Sequence, residues 1–215
     1  RGLGDVYKRQ DMDRDAALCE KAGASLIFHP EPEEMYDDNF SSFVDMNTLT
    51  GGLCGKTRPI HFRGVCTVVA KLFNIVTPDR AYFGQKDAQQ LAVIRHMVND
   101  LSFGIEIVGC PIIREEDGLA KSSRNTYLSE DERKAALVLS RSLKEGRKLV
   151  EDGEKDAAKV KKTITDIIEK EALAKIDYVE VVDWNTLEPV EKIDGPVLTA
   201  VSYTHLRAHE TGAYL

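Results

Sequence analysis

The pattern over residues 61–108 limits the fold more than any other feature of the chain. HFRGVCTVVAKLFNIV places Val65, Val68, Val69, Leu72, Phe73 and Val76 at spacings of three and four, which predicts an amphipathic helix. Pro78 lies just beyond it as a stop. RAYFG then predicts a short strand, QKDAQQLAVIRHMVNDL returns to the helical period at Leu91, Ile94 and Val98, and residues 105–108 predict a second strand. Helix, strand, helix, strand is the order of a parallel sheet with helices on its faces. In such sheets the ligand lies beyond the carboxyl ends of the strands, where FGQKDAQQ (83–90) and LAKSSRN (119–125) fall.

The flanks are read the same way. Residues 13–22 fit a short helix stopped by Gly23. ASLIFHP predicts a buried strand ended by Pro30, and EPEEMYDDNF a polar excursion. Residues 44–57 predict an edge strand and then a segment in which Gly51, Gly52 and Gly55 allow movement. That segment is a plain surface loop or, equally, a gate over a site, a reading kept for its nearness to Arg58 and His61. Ser129 and Glu132 form a capping box for a helix through Ala136, Leu139, Leu143 and Val150. A second helix runs through Val160, Ile164, Ile167 and Ile168. DYVEVVD (177–183) and PVLTAV (196–201) predict a strand pair, which makes a small α/β domain from about Ser129. The expected division is 11–128 for the larger domain and 129–201 for the smaller. Residues 1–10 and 202–215 are expected to be non-native sequence and are set apart from the fold. His205 and His209 make an H-x-x-x-H, but in such a tail it carries no metal site.

Composition narrows the function. With 29 basic and 36 acidic side chains, a net charge of −7 argues against a broad nucleic-acid footprint. Any anion must be met by a local cluster. No run of eighteen apolar residues occurs, so no membrane span is expected. Cys19, Cys54, Cys66 and Cys110 are scattered with no C-x-x-C pair, so the expectation is reduced thiols, mainly in the core, of a cytoplasmic protein.

A strand ending at Gly84 and opening a helix offers backbone N–H groups and a positive dipole end to a phosphate. Lys86 adds a point charge there. Alone this reads first as a surface lysine after a turn. Gln89 and Gln90 in tandem at a helix start are unusual for a solvated face, and Gln90 can donate and accept. Ser122, Ser123 and Arg124 offer two hydroxyls and a planar guanidinium to a second anion, or else a helix cap and a salt bridge. Two such groups on one sheet edge favour a phosphate-handling site over the local reading of each. No Walker loop is present. His61, with Arg58 and Arg63, either touches a carboxylate substrate or packs locally; Glu115 and Asp117 do not have a spacing that requires a metal.

Residues 58–133, with FGQKDAQQ and LAKSSRN inside them, and the later DYVEVVDWNTLEPV, resemble the pantoate–β-alanine ligase (pantothenate synthetase) family over nearly all of residues 13–201. The resemblance implies a Rossmann-like nucleotidylyl-transferase (HIGH superfamily) domain and a small C-terminal α/β lid. It implies that ATP with Mg²⁺, pantoate and β-alanine are the substrates, that catalysis runs through pantoyl adenylate, and that the enzyme is a homodimer. Gly84, Gln85, Lys86 and Asp87 would meet ATP, Lys86 on phosphate and Asp87 on ribose. Ile113 would offer backbone to adenine, and Lys121, Ser122, Ser123 and Arg124 would bind phosphates. Lys86, Ser122, Ser123 and Arg124 would be the catalytic set, and Gln90 would hold pantoate, with His61 and Arg58 as further contacts. No protein metal site is implied. Lys121 departs from the Met or Leu that many members carry. The family's His-x-Gly-His signature and second pantoate-binding glutamine do not occur in the chain, so the expectation is a first domain truncated at its N-terminus and weak or absent catalysis by this stretch alone. Other adenylate-forming ligases or nucleotidyltransferases of the same fold, or a nucleotide-binding or dimerisation module, are the alternatives.

Overall fold

The computed structural model describes residues 11–203 and the backbone of 209–214. Residues 1–10 and His205 lie outside the described residues, as do the expectations attached to them. The chain divides into two compact units, with the boundary between Phe43 and Val44.

In the first unit, α1 (Met12–Lys21) begins where the Asp11 carboxylate accepts from the Arg14 N–H. It ends where Gly23, at φ +84°, closes the last turn on Glu20, the conformation that favours glycine. The polar excursion contains a single helical turn, α2 (Pro32–Met35), held by a Glu31–Glu34 capping box with Pro at its start. Tyr36, Phe40 and Phe43 then stack edge to face, with centroids 4.9 and 5.4 Å apart. The strand expected at ASLIFHP does not form. Residues 26–30 are irregular, with Leu26, Ile27 and Phe28 exposed. A strand needs a ladder partner as well as an apolar run, and no described residue supplies one.

In the second unit, α3 (Leu53–Thr57) lies in the glycine-rich segment and α4 (His61–Val76) spans the predicted helix. The edge strand expected before α3 is not present among the described residues. Strand β1 (Arg80–Gly84) leads through a 3-10 turn (Gln85–Asp87) into α5 (Ala88–Asp100), and β2 (Glu106–Cys110) follows. The strands β1 and β2 are parallel, in register from Arg80↔Glu106 to Gly84↔Cys110. The helix–strand alternation therefore resolves as expected. Phe62, Cys66, Ala70 and Phe73 of α4 and Val93, Ile94 and Met97 of α5 build one core. Cys66 is fully buried, and burial pushes its thiol up to about 11. The other three cysteines are only partly buried, so the core-thiol expectation fails for them: Cys54 sits on the short α3 and Cys19 on α1, neither of which closes over its thiol.

The capping box at Ser129 and Glu132 starts α6 (Glu130–Glu151), and α7 (Ala157–Ile168) follows. Strands β3 (Ile176–Asp183) and β4 (Val197–Tyr203) pair antiparallel. Their alternate residues go to two different cores. Val179, Val181, Val197 and Val201 pack with α6 and α7, whereas Val182, Leu198 and Ala200 join the core of α4 and α5. A segment set apart in the sequence reading forms a third strand, β5 (His209–Tyr214), on the outer edge of β4.

Thr199 lies opposite Val181 in this sheet. Its hydroxyl is buried without a hydrogen-bond partner. Thr199→Val removes an orphan polar atom at nearly constant shape and should stabilise the chain by about 1 kcal/mol. The check is a higher urea midpoint at unchanged slope.

Candidate functional site

The register sets the ends of β1 and β2 side by side, so the segments that follow Gly84 and Cys110 leave the same end of the sheet. Gly84 has ordinary backbone torsions, and a Cβ built on it would meet nothing within 4 Å. Packing does not require glycine there; the open space suits close approach of a ligand to the backbone. The helix proper starts at Ala88, one turn later than the motif suggests, because Gln85, Lys86 and Asp87 form the 3-10 turn. The Lys86 side chain is only 18% exposed, and its Nζ lies 3.8 Å from the Asp87 carboxylate. Asp87 holds the N-cap position of α5 yet makes no side-chain cap bond. An aspartate there normally accepts from the next N–H groups, so its carboxylate stays available. The side chain of Gln90, half-buried in the first turn of α5, makes no hydrogen bond to another described residue.

Gln85 crosses to the neighbouring strand. A Cβ on Gly109 of β2 would lie 3.5 Å from the Gln85 Nε2, 3.0 Å from an Arg95 Nη and 3.0 Å from Leu91. Glycine at this strand position makes room for an amide and a guanidinium side by side. No periodicity marks Arg95 as part of this corner, and sequence reasoning passed over it.

The second loop is a hairpin rather than an irregular excursion. The Lys121 N–H donates to the Ile113 carbonyl at 2.9 Å, and the Glu115 N–H to the Leu119 carbonyl at 2.8 Å, around a turn with Gly118 at φ +93°. Ile113 follows Cys110 by three residues, roughly 11 Å of chain at most, so the hairpin returns Lys121 beside a residue close to the end of β2. Ile113 itself is exposed, and its carbonyl is already engaged by Lys121. Ser122 caps the next 3-10 turn (Ser123–Tyr127) by accepting from the Arg124 N–H at 3.2 Å. Ser123 gives its carbonyl to the Thr126 hydroxyl. Neither Lys121 nor Arg124 pairs with a carboxylate among the described residues. No hydrogen bond or ion pair joins Lys121, Ser122, Ser123 or Arg124 to residues 84–90 among them.

What holds the hairpin is a cluster the sequence reading did not assemble. An Arg133 Nη on the first turn of α6 donates to Glu115 at 2.7 Å and to Asp117 at 2.6 Å. The buried Asn125 amide donates to Glu115 at 2.8 Å and to the Ala120 carbonyl at 3.0 Å. Asp117 also accepts from the Leu119 N–H at 3.0 Å. The hydrogen bond from Asn125, then Arg133, holds the Glu115 carboxyl below the usual range, and the Leu119 N–H, then Arg133, does so for Asp117. Both carboxylates are engaged in holding the hairpin. No group of three or more His, Cys, Asp or Glu side chains suited to a metal occurs among the described residues.

The glycine-rich segment meets α5 through one side chain. The buried Gln89 amide donates to the Leu49 and Gly52 carbonyls, each at 2.9 Å, and accepts from the Gly55 N–H at 3.3 Å. A Cβ on Gly55 would come within 2.0 Å of the Thr50 carbonyl oxygen, so this glycine serves close approach rather than movement. Downstream, the His61 N–H donates to the Arg58 carbonyl, and the His61 ring packs edge-on against Phe62 at 5.2 Å. Burial raises the Cys54 thiol, against the pull of the neighbouring Arg58, with the Asp177 and Asp87 charges adding to the rise. Burial also raises the Tyr178 hydroxyl, with smaller contributions from Cys54, Asp177 and Asp87 nearby. Asp87, Arg58 and the start of β3 therefore share one neighbourhood.

A parallel β-pair with polar, cation-bearing loops at one end, beside a smaller α/β layer, defines an α/β enzyme of the nucleotidylyl-transferase-like fold. The pantothenate synthetase of Thermus thermophilus shares it, with a TM-score of 0.92 and 41% identity, covering 100% of this chain and 78% of that one. The chain belongs to the pantoate-beta-alanine ligase family, whose profile matches residues 5–209. It is 62% identical over 198 residues to the pantothenate synthetase of Clostridium acetobutylicum, covering 92% of this chain and 70% of that protein. A ligase of the same description from Francisella tularensis, solved with β,γ-ATP and β-alanine, is similar in fold at TM-score 0.71 and 24% identity, over 95% of this chain and 70% of that one.

The depressed carboxyls give the hairpin a pH dependence. A folded value below the unfolded one contributes stability above the unfolded value of about 4, lost as pH falls through the folded value. Exchange protection of the Leu119 and Lys121 amides should decline on acidification below about pH 4. In Glu115→Gln the Arg133 contact weakens, and part of that protection should be missing at neutral pH.

Proposed function

We propose that the residues of this chain serve the ATP-dependent condensation of (R)-pantoate with β-alanine to pantothenate, releasing AMP and pyrophosphate, with turnover measured in a protein that also carries the family's His-x-Gly-His signature. The observation that carries this is the corner at the end of β1: a Lys86 withdrawn from solvent beside an Asp87 that does not cap its helix, in a chain of this ligase family. A pantoate carboxylate oxygen attacks the α-phosphorus of ATP, the bond to the bridging oxygen breaks, and pyrophosphate leaves. The amine of β-alanine then attacks the acyl carbon of pantoyl adenylate, AMP leaves, and the amine proton passes to solvent.

Lys86 neutralises phosphate charge that grows as pyrophosphate departs, and Asp87 accepts from a ribose hydroxyl. Gly84 and Gln85 line the nucleotide with backbone and amide. Lys121, Ser122, Ser123 and Arg124 hold phosphate oxygens with two cations and two hydroxyls, and Ile113 offers backbone to the adenine edge. Gln90 orients pantoate, with Arg58 and His61 on the acid side. Such a set works by positioning and charge stabilisation. Mg²⁺ enters with the ATP phosphates, since Glu115 and Asp117 are taken by Arg133. Residues 129–201 act as the smaller lid domain, and the enzyme works as a cytoplasmic homodimer. No helix among the described residues is long and apolar enough to cross a membrane.

Isotope exchange between pyrophosphate and ATP tests the reaction: it should require pantoate, and exchange that another acid supports equally would refute the assignment. Lys86→Ala should lower kcat roughly a hundredfold or more, as loss of one preorganised charge contact does. Normal turnover in that variant would remove Lys86 from the mechanism.

A further inference from the structure

Gln89 stands next to the proposed pantoate ligand Gln90 and is turned into the protein, about 100° further round α5. Its side chain is 6% exposed, and every hydrogen bond it makes ends on backbone of the glycine-rich segment: the Leu49 and Gly52 carbonyls and the Gly55 N–H. Those partners lie 34 to 40 residues upstream in sequence. A buried amide with its donors and acceptor all matched fixes one geometry, because loss of any partner leaves a desolvated polar group behind.

The segment so fixed runs directly into Arg58 and His61. Arg58 closes α3 by donating its N–H to the Cys54 carbonyl, and the His61 N–H is tied in turn to the Arg58 carbonyl. On the other side, Gln89 sits in the first turn of α5, two residues after Asp87 and one before Gln90. This side chain therefore ties the segment that leads to Arg58 and His61 to the start of α5, beside Asp87 and Gln90. Gly55 makes the arrangement possible, since any Cβ there would strike the Thr50 carbonyl.

We propose that Gln89 is a positioning residue for the carboxylate substrate: a strap that holds the 49–58 segment at the distance from Gln90 at which pantoate is gripped from both sides. This rests on the ligase reading above. It assigns the glycine-rich segment a fixed role as one wall of the acid subsite, in place of a gate that opens and closes.

Two near-isosteric variants test it. Gln89→Glu keeps the acceptor for Gly55 and loses both donors; Gln89→Met keeps the volume and loses all three bonds. Each should raise KM for pantoate by roughly ten- to a hundredfold, the range that misplacement by about an ångström produces. KM for ATP should change far less. The Gly55 amide should exchange faster in both variants, whereas Gln90→Ala should weaken pantoate use without changing Gly55 exchange. Equal losses for ATP and pantoate would mark Gln89 as a general packing residue and overturn the proposal, as would an unchanged pantoate KM with faster Gly55 exchange. Unchanged Gly55 exchange in both variants would remove the strap itself. Absence of pantoate-dependent exchange in a protein that joins this chain to the family's His-x-Gly-His signature would overturn the ligase reading and the acid-side role with it, and the Gly55 measurement would still report on the strap.

Discussion

The β3–β4 pair is buried on both faces, and the second unit depends on that constraint. One set of alternate side chains closes the α6–α7 core and the other completes the core under α4 and α5. Here a one-residue slip would exchange the contents of two cores. The burial explains why Tyr178 meets the neighbourhood of Asp87 and Cys54, although some ninety residues separate it from Asp87 in the chain. The sheet that completes the core also supplies a wall near the nucleotide-side residues.

Much of this was legible in the sequence, for identifiable reasons. The bounds of α4 follow from an unbroken helical period between a turn and Pro78, and the start of α6 from a capping box whose chemistry is local. RAYFG and the parallel pairing follow from alternation of element types. Local signals were enough wherever the determinants lie within one turn or one strand. Residues 24–30 show the limit of this: the apolar run is there, but a strand is a relation between two segments, and a run alone does not name its partner.

The site was legible in its residues and less so in its supports. Lys86, Asp87 and Gln90 sit at a strand end, as the motif suggests. The clamp of Arg133 on Glu115 and Asp117, and the strap of Gln89 on residues 49–55, involve partners 16 to 40 residues apart with no spacing rule between them. One signal was available for Gln89: a polar residue on a helix face otherwise filled by Ala88, Leu91 and Ala92 must have its hydrogen bonds met inside the protein. Glycines were read as freedom, whereas Gly55 and Gly109 mark places where another group comes too close for a side chain.

The Arg133 clamp has a consequence for sequence change. One guanidinium serves two carboxylates, and Asn125 serves one of them from the other side. Substitutions at positions 115, 117, 125 and 133 are therefore coupled, and the effect of two together differs from the sum of each alone. A lineage that loses Arg133 first leaves two carboxylates facing each other without a cation, which disfavours the intermediate genotype; loss of Asp117 first is milder, since Glu115 keeps Asn125 and Arg133. The order of replacement matters, and the hairpin carrying Lys121, Ser122, Ser123 and Arg124 should drift as a block.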